Sequence, residues 1–376
     1  AGFIFFLIAL GILNDFFLAL LPTSIINFSH TLWNTSLSAE VYPLTAIFIA
    51  LILLQVTSLK NDAHLYLLAF ITGLSFSNHM IISTVFLPLF IFVILRYRLP
   101  ARKWFGAVAF FILGLSIYFY LPVRAQAPPL LNWGNPFNLE RFFWHITGKQ
   151  YRVWMFSSPL NEILANLKNE VFHIGYELLY VFLIIVFLGF RNLWKIDRTL
   201  FWLYLSILLI NILYGINYSI PDIESYFLPT IFILGLASAY GLISLKRYLK
   251  KWLTLLFVAL PLIIHFSSAT MQVNYFGYDL GKNFLISLPS ASIFITDYWD
   301  IYSPIIYIQV VERQRRDVSI IDKELLRRSW YFQYLEKRYP EIYYKSKPEV
   351  DAYLELLDDF EHNRLKGPEE IQRRYI

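Results

Sequence analysis

The chain has 376 residues, of which 57% are hydrophobic and only 16% charged, against about 25% charged in ordinary soluble domains. That balance excludes a soluble globular enzyme and points to a membrane protein. The formal net charge of +5 comes from basic residues beside apolar runs and implies no nucleic-acid partner, while the absence of cysteine excludes disulfides, thiolate metal sites and cysteine nucleophiles.

Crossing the hydrocarbon core as a helix takes about 17 to 25 mostly apolar residues. The first forty residues read as two spans meeting at Asn14 and Asp15, in preference to one span over 3–20 followed by a loop. Residue 1 is an Ala inside an apolar run, with no Met and no basic leader, so a preceding piece of chain is expected. Further spans are expected at 42–58, 64–78, 79–95, 104–121, 177–190, 199–215, 227–245 and 252–267. The predicted fold class is an all-α polytopic membrane protein, with about eight to ten transmembrane helices over residues 1–267 and an outward loop at 122–170.

Lys60, then Arg96, Arg98, Arg102 and Lys103, then Arg191, Lys195 and Arg198, then Lys246, Arg247, Lys250 and Lys251 occupy alternate connections. The positive-inside rule places these in the cytoplasm. The other connections, and everything after about residue 268, then face outward. From 268 to 376 the composition becomes soluble. Residues 292–296 read as a strand, 300–314 as a helix, 317–321 as a strand and 323–338 as a basic helix, which suggests a small exterior parallel α/β domain. The tail from 347 to 376 is charged and reads as helical and loosely packed.

The candidate site residues lie on the outward side. Glu40 precedes a span, and Asp222 and Glu224 precede another; an acid at that depth is costly unless solvated, paired or used. Helix-dipole stabilisation is the plainer explanation for each, but acids at separate boundaries of one face are also what general base catalysis needs. Tyr42 and Tyr226 accompany these acids, and His79 follows Asn78 at an outward turn between short spans. Leu121 to Pro136 is polar and punctuated by proline, with Arg124, Asn132, Trp133 and Asn135 where a span must end. Arg124 suits a phosphate or diphosphate, or a snorkelling anchor. Trp133, Trp144, Tyr151 and Trp154 suit sugar faces or a polyprenyl chain, although aromatics enrich at membrane interfaces in any case. Neither a GxGxxG nor a Walker A pattern is present, and no His, Asp or Glu cluster has metal-ligand spacing. No cofactor is therefore expected, and a donor delivered within the membrane fits better than a nucleotide bound in a soluble pocket; the need for a divalent cation is left open.

Ala39-Glu-Val-Tyr42, Gly73 through His79, Leu121-Pro-Val-Arg124, Asn132-Trp-Gly-Asn-Pro136, Asp222-Ile-Glu-Ser-Tyr-Phe-Leu-Pro229, Thr296-Asp-Tyr-Trp-Asp300 and Arg316-Asp-Val318 together resemble a bacterial family catalogued as domain of unknown function 2723. That family is similar to the transmembrane protein O-mannosyltransferases of the GT-C superfamily. The resemblance implies a GT-C-like glycosyltransferase of the bacterial inner membrane, with its C-terminal domain on the non-cytoplasmic side. Its partners would be membrane lipid, a polyprenyl-phosphate sugar, a hexose such as mannose, and a hydroxyl acceptor such as protein Ser or Thr. Similar members carry a Gly-Asp-Ser-Gly-Glu-like motif near the N-terminus; none is present here, and it is expected before Ala1. Within the chain, Glu40 is then the expected base or support for it, with Asp222 and Glu224 as partners. Arg124 is expected near phosphate, and Asn78, His79, Asn132, Trp133, Asn135, Tyr42 and Tyr226 around substrate. A transporter or flippase, or a non-catalytic scaffold presenting the exterior domain, are the competing classes. The absence of an internal repeat and of acids at mid-membrane disfavours transport.

Overall fold

The computed structural model describes residues 1–97, 99–220, 222–269 and 274–365, with backbone alone at Val153 and Trp154. Arg98, the Trp154 ring and the tail beyond 365 therefore lie outside the described residues. Contacts group the chain into two units, Ala1–Tyr118 with Gln150–Thr270, and Phe119–Lys149 with Met271–Ile376.

The first unit is helical. Helices α1 (Gly2–Leu13) and α2 (Phe16–Asn27) meet at Asn14 and Asp15, where the chain was read to turn. Asn14 takes a left-handed conformation at φ 46°, which a short polar side chain tolerates. Asp15 caps α2 by accepting from the Leu18 amide at 3.1 Å. Next come α3 (His30–Ser36), α4 (Tyr42–Ser58), α5 (Asp62–Phe76), α6 (Ser83–Tyr97) and α7 (Ala101–Leu115). After an excursion into the second unit the chain returns with α10 (Leu160–Glu177), α11 (Leu183–Ile196), α12 (Arg198–Gly215), α13 (Leu228–Leu245) and α14 (Lys251–Ala269).

Two seams hold these helices at backbone distance. A Cβ added at Gly189 of α11 would stand 1.7 Å from the Ala237 carbonyl oxygen of α13, and one at Gly241 1.9 Å from that of Ile185. Gly73 of α5 and Gly114 of α7 meet in the same way, at 2.1 Å from the Phe111 and 2.3 Å from the Phe70 carbonyl oxygens. In lipid, where apolar surface gains little from being hidden, such close approach is what holds helices together. The polar Asn192 of α11 is satisfied across its seam, donating to the Tyr240 carbonyl at 2.9 Å and the Ser244 hydroxyl at 2.8 Å.

Among the described residues five helical segments are long and apolar enough to cross a membrane: Met80–Tyr97, Ala101–Gln126, Arg198–Gly215, Ile223–Leu245 and Lys251–Ala269. The pair α2 and α3, bent by 67°, makes a sixth if counted as one span, while α1, α4 and α5 are apolar but shorter. The protein is thus an integral membrane protein, with fewer full-length spans than the about eight to ten expected by hydropathy. The span expected at 177–190 is displaced: α10 runs to Glu177, Leu179 and Tyr180 turn through left-handed conformations, and the apolar helix begins at Leu183.

The second unit contains α8 (Tyr120–Gln126), α9 (Leu139–Ile146), α15 (Phe276–Ser287), β1 (Ile293–Thr296), α16 (Trp299–Val310), β2 (Ser319–Asp322), α17 (Tyr331–Arg338), α18 (Pro340–Lys345) and α19 (Lys347–Glu361). The strands pair in parallel, Ile293 with Ser319 through Thr296 with Asp322. With only these two strands described, the unit is mostly helical. The basic helix expected at 323–338 is split, because Asp322 accepts from the Leu325 amide at 2.8 Å and closes a 3-10 turn before α17. Residues 119–149, expected to belong to the outward loop 122–170, cluster with the C-terminal residues. The Trp133 ring lies tilted against that of Trp330 with centroids 4.7 Å apart, and Arg141 donates to the Ser329 hydroxyl at 3.2 Å. That hydroxyl in turn donates to Glu361 at 2.7 Å.

Candidate active site

The turn between α5 and α6 is fixed from within and from α4. The Ile81 amide donates to Nδ1 of His79 at 3.2 Å, and Asn78 donates to the Val41 carbonyl at 3.0 Å and the Thr45 hydroxyl at 2.7 Å. Tyr42, buried at the first turn of α4, donates its hydroxyl to Oδ2 of Asp222 at 2.5 Å. Its ring centroid lies 5.3 Å from that of His79 and 6.0 Å from that of Tyr226, and His79 and Tyr226 are 5.0 Å apart. Asn211 of α12 anchors this corner, donating to the Tyr226 carbonyl at 2.9 Å and accepting from the Thr230 hydroxyl at 2.8 Å. Tyr42, His79, Asp222 and Tyr226 therefore meet, with Asn78 bracing them. Burial pushes the His79 imidazole down to about 4, against the attraction of Asp222, so the ring is neutral at pH 7.

Glu224, two residues beyond Asp222, faces a different space. It lines an open cavity of about 480 Å³ with Glu162, Asn166, Glu170 and His173 of α10 and with Tyr218. Asn166 donates to the Ile216 carbonyl at 3.1 Å and so ties α10 to the segment carrying these acids. Glu40 is exposed in the turn before α4.

Sequence reasoning missed the acids of α10. Glu170, His173 and Glu177 follow one another at intervals of three and four residues, which brings them onto one helix face. Nδ1 of His173 lies 3.5 Å from Glu170, and its Nε2 lies 3.0 Å from Glu177. Glu177 also accepts from the Thr31 amide at 2.9 Å and the Thr31 hydroxyl at 2.5 Å. Burial alone would lower His173, but its bonds to the two carboxylates outweigh this and hold it up to about 10. Burial raises Glu170, whereas for Glu177 the burial effect is outweighed by His173 and Thr31, leaving it below the usual carboxylate range. The available signal was the spacing itself, two acids flanking a histidine inside an otherwise apolar helical stretch.

Of the remaining expected residues, Arg124, Asn132, Trp133, Asn135 and Trp144 lie in the second unit. Arg124 is exposed and donates to the Ala127 carbonyl. Asn132 donates to Oδ1 of Asn135 at 2.8 Å across a turn in which Gly134 and Asn135 have φ of 72° and 42°. Trp133 packs between Trp330 and Trp299. Lys149 stands over the Trp144 ring, 3.4 Å from its centre, and Tyr151, in the first unit, is exposed.

Acids and amides thus converge on an open cavity within an apolar helical body. Residues 4–104 match the family described as the N-terminal domain of protein O-mannosyl-transferase TMEM260. Over 365 residues the chain is 24% identical to protein O-mannosyl-transferase TMEM260 of Mus musculus, covering 86% of this chain and 52% of that protein. Over 387 residues it is 21% identical to protein O-mannosyl-transferase tmem260 of Dictyostelium discoideum, covering 85% and 47%. The chain thus spans about half the length of the curated relatives it matches. No solved structure matches. These similarities support an O-mannosyltransferase-like relationship, under the TMEM260 name and with a mouse and a Dictyostelium relative.

Proposed function

We propose that the protein is a membrane glycosyltransferase that moves a hexose such as mannose from a polyprenyl-phosphate carrier to a protein Ser or Thr hydroxyl on the non-cytoplasmic face. The observation that carries this reading is the open, acid-lined and amide-lined cavity of about 480 Å³, within the about 300–1,000 Å³ range of small-ligand sites and belonging to a chain similar to O-mannosyl-transferases. Glu224 is the base: solvent-accessible and facing the cavity, it takes the acceptor proton as the hydroxyl oxygen attacks the anomeric carbon. The bond from that carbon to the phosphate oxygen breaks, and polyprenyl phosphate leaves with the electron pair. Asp222, held by Tyr42, fixes the segment on which Glu224 stands. Glu40, exposed on its turn, yields the role of base to Glu224. The carrier's isoprenoid tail runs along the apolar helices, in a GT-C-like arrangement with the second unit outside.

The test is transfer from a polyprenyl-phosphate mannose to a Ser/Thr peptide by the full-length protein. Glu224→Gln should lose about 10²–10⁴-fold, as removal of a general base does, with expression and melting unchanged because the side chain is exposed. Undiminished transfer by that variant would remove Glu224 from the mechanism.

A further inference from the structure

We propose that the buried end of α10 is a divalent-cation site, with His30, His173 and Glu177 as ligands and Glu170 as the neighbouring carboxylate. One ligand atom from each of His30, His173 and Glu177 lies within 4.8 Å of the others. That spread is somewhat wider than a coordination sphere whose ligands stand about 2.0–2.2 Å from the ion, and His30, partly exposed at the start of α3, would have to move inward to complete it.

The burial of this corner points the same way. Glu170 and Glu177 are 5% and 2% exposed. Oε1 of Glu170 and Oε2 of Glu177 are buried with no hydrogen-bond partner among the described residues. Buried polar oxygens left without a partner are unfavourable. Beside the carboxylates lies a void of about 10 Å³, bordered by Ser29, Glu170, His173 and Glu177 and otherwise by aliphatic side chains. This is about the space of a single water or ion. A divalent cation held by His30, His173 and Glu177 would give the unpaired oxygen of Glu177 a partner. Two imidazoles with carboxylate oxygen suit zinc or manganese, whereas magnesium and calcium prefer oxygen ligands throughout.

This site goes beyond the transferase reading and does not rest on it, because its test measures the ion. The full chain, purified in detergent and stripped with EDTA, is loaded with Zn²⁺ or Mn²⁺, desalted and assayed for bound metal by mass spectrometry and for thermal unfolding. One equivalent of metal and a raised midpoint are expected. His30→Ala, at a partly exposed position, should fold and lose affinity by at least about tenfold, and Glu177→Gln should abolish binding. Retention of no metal by the wild-type chain would overturn the proposal. Equal retention by wild type and His30→Ala would also overturn it.

Discussion

Glu177→Gln, studied in EDTA so that the ionic group alone is measured, isolates what the α10 cluster contributes to the fold. Removing one partner of a buried ion pair costs about 3–5 kcal/mol, chiefly because the other charge is left stranded. Here part of that loss is offset. Glu170 still faces Nδ1 of His173 at 3.5 Å, and a glutamine retains an oxygen for the Thr31 amide and hydroxyl. The expected net loss is therefore about 2–3 kcal/mol. For a unit of this size that is about 5–10 °C in the melting midpoint, readable by fluorescence-detected unfolding of the detergent-solubilised chain at pH 7. Adding His173→Gln to the same chain removes the stranded charge, so the double variant should be less unstable than the sum of the two single ones by about 1–2 kcal/mol. A single-variant loss below about 0.5 kcal/mol, or strict additivity, would refute the ionic account.

The His79 imidazole sits near 6.5 when unfolded and about 4 when folded. Below pH 6.5 the unfolded chain takes up a proton that the folded one refuses, so stability should fall as pH drops from 6.5 towards 4. His79→Gln should flatten that limb of the pH–melting curve. Gly189→Ala would drive a methyl into the Ala237 carbonyl 1.7 Å away and should cost at least about 1–3 kcal/mol in melting experiments. Gly11→Ala, at an exposed position of α1 with nothing within 4 Å, should be neutral or stabilising by about 0.5–1 kcal/mol. Trp133→Ala removes the ring between Trp299 and Trp330. It should weaken the second unit by about 2 kcal/mol, seen as faster proteolysis within residues 274–365.

Local signals were the ones the sequence made readable. The break at Asn14 and Asp15 could be read because both residues are poor helix continuers set in an apolar run, and the strand, helix and strand of 293–322 because their periodicities change over a few residues. The meeting of Tyr42, His79, Asp222 and Tyr226 followed from all four lying at helix ends on one expected face. The α10 cluster stayed hidden because its closing partners, Thr31 and His30, are more than a hundred residues away and residues up to 170 read as an outward loop. The clustering of 119–149 with the C-terminal residues rests on pairs such as Arg141 with Ser329, separated by 188 positions, which no local pattern encodes. Hydropathy also misplaced the start of α11, since it registers grease but not the backbone turn at Leu179 and Tyr180.

The glycine seam between α11 and α13 has a mechanical corollary. Helices whose main chains touch cannot slide or roll without collision, so α13 behaves as a fixed post, and the short segment bearing Asp222, Glu224 and Tyr226 is mounted on its head. Any ligand reaching that segment would meet carboxylates carried on a fixed support.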